Sequence, residues 1–424
     1  MKYLPLILLL SIMLTACGED KPQSGRSSAI ATEQTPVKKE PEPKQEEVST
    51  VDETELSPEE ARRKQIQEEI DNTRESREEK SVRITGTIRG AAGMSITLDK
   101  LGGEQRMVPL KTQVINADGV FELETTTKQW QIYDLRTDKG NIVLLLNGGN
   151  YEVEADINQL SQAKVNSTES AQLRNFYLIL EEFNKRYDRI NKREEEYTQK
   201  KKAWKVKRLL DSMPYYNTLI EKEKSSAIKT FIGQNKNSIV APIAAEKLDF
   251  LKHTAFINEV YEHSKQLFPG SSYVKNIGLR LIRFMPLAIG QPAPEIILPN
   301  IDGENIKLSS LKGKHTLLYF SVNVVDLTVQ GADNLKSIYY QYNSKGFEVY
   351  NVAVDETIDD WNAYLETTEA PWITVSDLQG QNSTVFDAYM ATEFPMTYLI
   401  DDKGIIVDKF VSDDELKAYL RDKL

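Results

Sequence analysis

Covalent chemistry at a protein site needs a nucleophile, an acid or base, or a set of metal ligands, and this sequence offers few groupings of them. A single cysteine, Cys17, occurs in 424 residues, close to the start of the chain. Everything beyond it therefore lacks an intramolecular disulfide, a thiolate nucleophile and a cysteine-ligated metal. His253 and His263 stand ten residues apart with no carboxylate at metal-ligand spacing, so both read as surface or half-buried residues. No metal and no cofactor are expected. Ser321 and Thr328 have no base nearby in sequence, and a hydroxyl that caps a helix is the better account of either. Asp326, Asp355 and Asp377 would support an enzyme only if the fold gathered them, with raised pKa values, around a deep pocket. A net charge of -11 argues against nucleic acid as a partner, because phosphate recognition needs a basic face.

The elements that must position any site begin with an export signal. Met1-Lys2-Tyr3 precedes an apolar run from Leu4 to Leu14, too short to span a bilayer as a mature helix, and Thr15-Ala16 provides a small-residue cleavage site. Residues 1–16 thus read as a signal peptide. Leu14-Thr15-Ala16-Cys17 resembles a bacterial lipobox, which implies that Cys17 is diacylated on sulfur, becomes the first mature residue and is acylated on its amine. At about 0.8 kcal/mol per buried CH₂, two or three chains hold a protein on a membrane. Gly18 replaces the aspartate of an inner-membrane retention signal, so the expected location is the outer membrane facing the periplasm. Glu19-Asp20 faintly resembles a surface-export signal.

Residues 17–80 are rich in Glu, Lys, Ser, Thr, Gln and Pro, a composition that buries too little apolar surface to offset chain entropy. They are expected to form a tether reaching on the order of 45 Å. Ser57-Pro58-Glu59-Glu60 forms a capping box with proline at the first helical position, predicting a solvated polar helix over 57–78.

Over 81–158 the hydrophobic period becomes two. Val82, Ile84 and Gly86, then Ile96 and Leu98, Phe121 and Leu123, and Ile142 to Leu146 read as short strands between glycine turns, predicting a β-sandwich-like domain. Its Ile84-Thr85-Gly86-Thr87-Ile88 and Asp118-Gly119-Val120-Phe121 resemble the uncharacterised β domain that precedes thioredoxin-like domains in many Gram-negative lipoproteins. Over 168–285 the period returns to 3.6, with Leu173, Phe176, Tyr177, Leu180, Phe183, Tyr187 and Ile190 on one helical face. Further helices are expected at 209–233, 240–251, 256–267 and 273–284, with breaks near Pro214, Gly233 and Pro269-Gly270. The lysines and arginines between Lys185 and Arg208 are interrupted by glutamates and read as a solvated face.

Residues 286–424 open with Gly290-Gln291-Pro292-Ala293-Pro294. Leu308-Ser309-Ser310-Leu311-Lys312-Gly313-Lys314 follows, leading into the apolar run Leu317-Leu318-Tyr319-Phe320. Further on come Phe347 to Asp355 as a strand and Phe394-Pro395-Met396-Thr397-Tyr398-Leu399-Ile400-Asp401 as the start of a hairpin. This order resembles the TlpA and AhpC/TSA branch of the thioredoxin superfamily. The resemblance implies a C-terminal α/β thioredoxin-like domain, which with the small all-β domain and the helical middle region read from periodicity makes the chain multidomain. It also places Pro395 where that family has a cis-proline.

In that family a W-A-x-W-C-x-x-C segment follows the strand ending in Phe. Counting from Phe320, its C-x-x-C positions fall on Val325, Asp326, Leu327 and Thr328, and neither cysteine is present. Disulfide exchange requires a thiolate attacking sulfur, which valine and threonine cannot supply. What the resemblance leaves is a groove: Phe394, Pro395, Val325 and Thr328 would line a mildly apolar ledge where an extended peptide pairs with the backbone. The expected function is a redox-inactive binding or scaffold lipoprotein of the cell envelope. Its partners would be membrane lipid, through the acyl anchor, and an unidentified envelope protein or peptide. The alternative is an oxidoreductase-family protein that keeps a role in envelope redox homeostasis through a partner.

Overall fold

The computed structural model describes residues 64–68, 78–102, 106–321, 325–392 and 394–424, with backbone only at 203, 206, 210, 211, 214, 215 and 325–332. The signal segment, Cys17 and the Ser57 capping box lie outside the described residues.

Among the described residues eight strands build the N-terminal sandwich: β1 (Lys80–Arg89), β2 (Ser95–Leu101), β3 (Met107–Val114), β4 (Val120–Thr127), β5 (Gln131–Thr137), β6 (Gly140–Leu146), β7 (Gly149–Asp156) and β8 (Lys164–Val165). They form two four-stranded sheets in the orders β4-β1-β7-β8 and β3-β2-β5-β6. β1 pairs antiparallel with β4, Ile84 facing Leu123, and parallel with β7, Ile84 facing Tyr151. Alternation sends Val82, Ile84, Leu98, Phe121, Leu123, Tyr133, Leu135, Leu144 and Val153 inward to one core. Gly86 allows the close approach of β7: a Cβ there would stand 2.4 Å from the Val153 carbonyl oxygen and 2.8 Å from the Phe121 ring.

The unbroken apolar run Ile142 to Leu146 follows from burial on both faces of β6. Ile142, Leu144 and Leu146 join the sandwich core, while Leu145 packs in the core of the helical region. That region consists of α1 (Thr168–Gln199), α2 (Ala203–Gln234), α3 (Val240–Ala245), α4 (Phe250–Leu267) and α5 (Ser272–Phe284). Ser167 caps α1 by accepting from the Ser170 N–H, and the Ser170 hydroxyl exchanges hydrogen bonds with both backbone groups of Leu145. α1 and α2 form an antiparallel hairpin, shown by the Phe176–Phe231 ring contact and the Arg186–Glu223 and Tyr187–Glu221 pairs.

Three expectations are corrected here. The helical backbone runs through Pro214, because α2 packs along α1 and that packing outweighs the lost hydrogen bond. The helix expected over 240–251 is two pieces, since the Asp249 carboxylate accepts from the N–H groups of Leu251 and Lys252 and starts a new helix. The helix expected to be solvated is not wholly so: Ile66, within the described turn 64–68, is fully buried in the helical core. Among the described residues no helix is long and apolar enough to cross a membrane.

The C-terminal part is the expected α/β domain. A hairpin of β9 (Ile297–Pro299) and β10 (Asn305–Lys307) precedes β11 (His315–Ser321), α6 (Val325–Tyr342), β12 (Phe347–Ala353), α7 (Ile358–Thr368), β13 (Ile373–Val375), α8 (Thr384–Ala388), β14 (Met396–Ile400), β15 (Ile406–Lys409) and α9 (Asp413–Lys423). The central sheet has the order β13-β12-β11-β14-β15, with β11, β12 and β13 parallel and β14 and β15 antiparallel additions. Leu317, Phe347, Val349 and Leu399 face α6 and α9 on one side; Leu318, Phe320, Tyr350, Val352 and Tyr398 face Phe386 and Tyr389 on the other. Leu251 and Leu287 enter this second core, so the helical region is packed onto the sheet.

Candidate functional site

Three strand ends converge at one edge of the C-terminal sheet. β11 finishes at Ser321, β12 finishes at Ala353, and β14 starts at Met396, with Phe320 paired to Met396 and Ser321 to Ala353. Residues 322–324 lie outside the described residues, and α6 then begins at Val325. The four positions Val325, Asp326, Leu327 and Thr328 therefore form the first turn of an 18-residue helix. The free amides and dipole of a helix start would lower the pKa of a thiol placed there, and no thiol is present.

The Phe394–Pro395 peptide bond, next to β14, is cis. It lies at the same end of the sheet as the α6 start, because β11 and β14 are antiparallel neighbours. Pro395 is exposed and Phe394 is half-buried, its ring edge-to-face on Phe386 with centroids 5.7 Å apart. An aromatic platform holds this loop from below. Phe320 contacts Phe386, Tyr389 and Tyr398 at centroid distances of 5.6, 5.4 and 6.3 Å. The Tyr398 hydroxyl donates to the Tyr389 carbonyl, and the Tyr389 hydroxyl donates to the Pro294 carbonyl. Apolar burial thus fixes the loop while leaving its proline in solvent.

Among the carboxylates singled out above, Asp355 is perturbed by its surroundings. Asp355, two residues beyond β12, is 4 % exposed, and burial, reinforced by the Asp360 charge, pushes its pKa up to about 6. Nearby, Asn351 Nδ2 donates to the Tyr364 hydroxyl at 3.3 Å, and the Ser321 hydroxyl lies beside that group without closing a well-aligned hydrogen bond. Asp377 is used locally, accepting from the Gln379 N–H and from the Ser383 hydroxyl at 2.7 Å. The side chain of Asp326 lies outside the described atoms. Asp355 does not line the cavity beside the proline loop. His253 is half-buried at a kink in α4, with its pKa lowered by burial, and His263 is exposed against Asn237.

One feature at this edge has no signature in the sequence. A cavity of about 310 Å³ opens between the helical region and the proline loop, lined by Phe250, Phe284, Met390, Thr392, Met396 and Phe410, with Arg280 and Asp249 at its polar side. Arg280 lies over the Phe250 ring at 3.6 Å, and Lys252 lies over Phe410 at 4.3 Å. Arg283 reaches Asp387 at 3.2 Å across the same seam. These residues come from segments more than a hundred positions apart, so no local pattern announces them.

Several solved structures resemble the C-terminal part. A C-terminal domain of a putative thiol-disulfide oxidoreductase from Bacteroides thetaiotaomicron is 30% identical, covering 32% of this chain and 95% of that one, with a TM-score of 0.30. The thioredoxin domain of a thiol-disulfide oxidoreductase from Bacteroides vulgatus is 28% identical, covering 32% and 98%, with a TM-score of 0.31. In sequence, residues 289–409 match the AhpC/TSA family model. Thiol-disulfide oxidoreductase ResA of Bacillus subtilis (strain 168) is 28% identical over 133 residues, 31% of this chain and 72% of that protein. The ResA of Bacillus cereus (strain ZK / E33L) is 24% identical over 138 residues, 32% and 78%. Residues 289–409 thus match the AhpC/TSA family, and the chain is a TlpA-like protein whose C-terminal domain has the thioredoxin fold.

Proposed function

We propose that this protein is a redox-inactive binding or scaffold module of the cell envelope, held on the outer membrane by lipid on Cys17. What supports the reading is an exposed Pro395 loop at the same end of the sheet as a helix start at which Val325 and Thr328, and no cysteine, stand where the resemblance puts the two thiols. Thiol exchange proceeds through a mixed disulfide, which this chain has no sulfur to form there. Backbone pairing with an extended peptide needs only the exposed main chain beside the proline. The adjoining cavity would accept an apolar side chain of that peptide among Phe284, Met390, Met396 and Phe410.

A photo-crosslinking residue at Phe394 tests the groove in the native envelope. The reading expects a discrete adduct that competing peptide removes. Reduction of insulin disulfides by the purified protein alone would overturn it. Acylation is tested separately by mass spectrometry of the mature N-terminal peptide, which should begin at a lipidated Cys17. The second reading, a redox role exercised through a partner, draws on the similarity to the ResA thiol-disulfide oxidoreductases. It requires that a thiol-bearing protein be the species crosslinked at Phe394.

A further inference from the structure

The free end of the α1–α2 hairpin carries an unusual charge layout. Residues 197–208 hold six cations, Lys200, Lys201, Lys202, Lys205, Lys207 and Arg208, and no carboxylate, in a chain whose net charge is -11. Lys201 adopts a positive φ of 52° in the turn, and Lys202 precedes α2 without a side-chain cap. Lys200 pairs with Glu196, whose charge Lys202 also feels, while among the described residues no carboxylate lies within ion-pair distance of Lys201 or Lys202.

This layout works against the helix. α2 has no acid in its first turn, and its start is instead flanked by cations at the positive end of the helix dipole. α9 has the opposite, stabilising arrangement: it begins with Asp413, Asp414 and Glu415 and ends with Arg421 and Lys423. A local rule broken at a cluster of six cations that faces one nearby carboxylate, Glu196, is the kind of exception that functional surfaces carry.

Trp204 shares the tip and is 65 % exposed, whereas Trp361 and Trp372 are buried and Trp130 is half-buried. Lys205 lies 5.3 Å from the Trp204 ring centroid and 5.5 Å from that of Tyr197, so cation and aromatic form one patch. Lysines around an exposed indole suit the boundary between lipid headgroups and acyl chains. α1 is about 48 Å long by its helical rise. A dozen residues at the end of such an arm are too few for a stable protein interface, which needs roughly 20–30 residues on each side. A bilayer surface demands no shape complementarity.

We infer that the tip of the α1–α2 hairpin docks on anionic phospholipid headgroups, with Trp204 at the level of the acyl boundary and Lys200, Lys201, Lys202, Lys205, Lys207 and Arg208 around it. The contact is independent of the proline groove and of any lipid on Cys17.

The test mixes the full chain with vesicles of brominated phosphatidylcholine, with or without phosphatidylglycerol, and follows tryptophan emission. The expected result is quenching that is strong only with phosphatidylglycerol and disappears at high salt. The variant Lys201→Glu/Lys202→Glu/Lys205→Glu should weaken this at least tenfold with an unchanged circular dichroism melt, and Trp204→Phe should abolish the quenching while vesicles still sediment the protein. An apolar N-terminal segment would act on both vesicle types and so cancels in the comparison. Equal quenching on neutral vesicles, no quenching, charge-reversal without effect, or tighter binding to soluble polyphosphate than to vesicles would each overturn the inference.

Discussion

The Lys409 ammonium donates a 2.7 Å hydrogen bond to the main-chain carbonyl of Leu251, tying the last strand of the thioredoxin sheet to the first turn of α4, 158 residues earlier. Burial pushes the Lys409 pKa down to about 8 from its ordinary 10.5, against the charges of Asp249 and Asp408. Between those values the unfolded chain holds more protons than the folded one, so this residue makes stability rise with pH from about 8 to 10.5. Lys409→Met should remove that rise, of order 2–3 kcal/mol, from urea midpoints measured across the window.

Asp355 works in the opposite sense. Its folded pKa of about 6 lies above the unfolded value, so the folded state holds the extra proton and stability falls as pH rises from about 4 to 6. Asp355→Asn should therefore match the parent near pH 4 and exceed it above pH 6 by about 2–3 kcal/mol, as read from thermal or urea unfolding at the two pH values.

Gly86 should tolerate nothing larger. Gly86→Ala places a methyl against the Val153 carbonyl and the Phe121 ring, and the resulting overpacking should lower sandwich stability by about 1–3 kcal/mol, seen as a lower urea midpoint.

Thiols restored at the start of α6 should restore redox chemistry. Val325→Cys/Thr328→Cys should form a disulfide on mild oxidation, and its first thiol should alkylate at a pH below that of free cysteine, because it stands at a helix N-terminus. Insulin-reduction turbidity should appear in the double variant and be absent from the parent.

Much of this was legible in the sequence where one physical signal dominated. Alternation at Val82 and Ile84, or at Phe121 and Leu123, declared strands because one face of each is buried. The residues around Phe394-Pro395 and the apolar run to Phe320 carried enough order to place the thioredoxin-like domain. β3 was not legible, because as an edge strand it exposes Met107, Val108 and Leu110 alike and shows no alternation. β5 was masked by Asp134, a buried carboxyl held by Asn141 at 2.6 Å. Ile66 in a polar stretch, the continuation of α2 through Pro214 and the cavity beside Met396 all depend on partners far along the chain. Local pattern carries no record of such partners.

The position of β1 inside its sheet sets the order in which the sandwich can assemble. β1 takes one neighbour from the middle of the domain and the other, in parallel, from residues 149–156 near its end. A chain emerging N-terminus first thus carries a strand with one open hydrogen-bonding edge until its seventh strand arrives. Completion of the sheet waits on that late segment, and pairings between strands so distant in sequence favour slower folding with more chance of mispairing during synthesis.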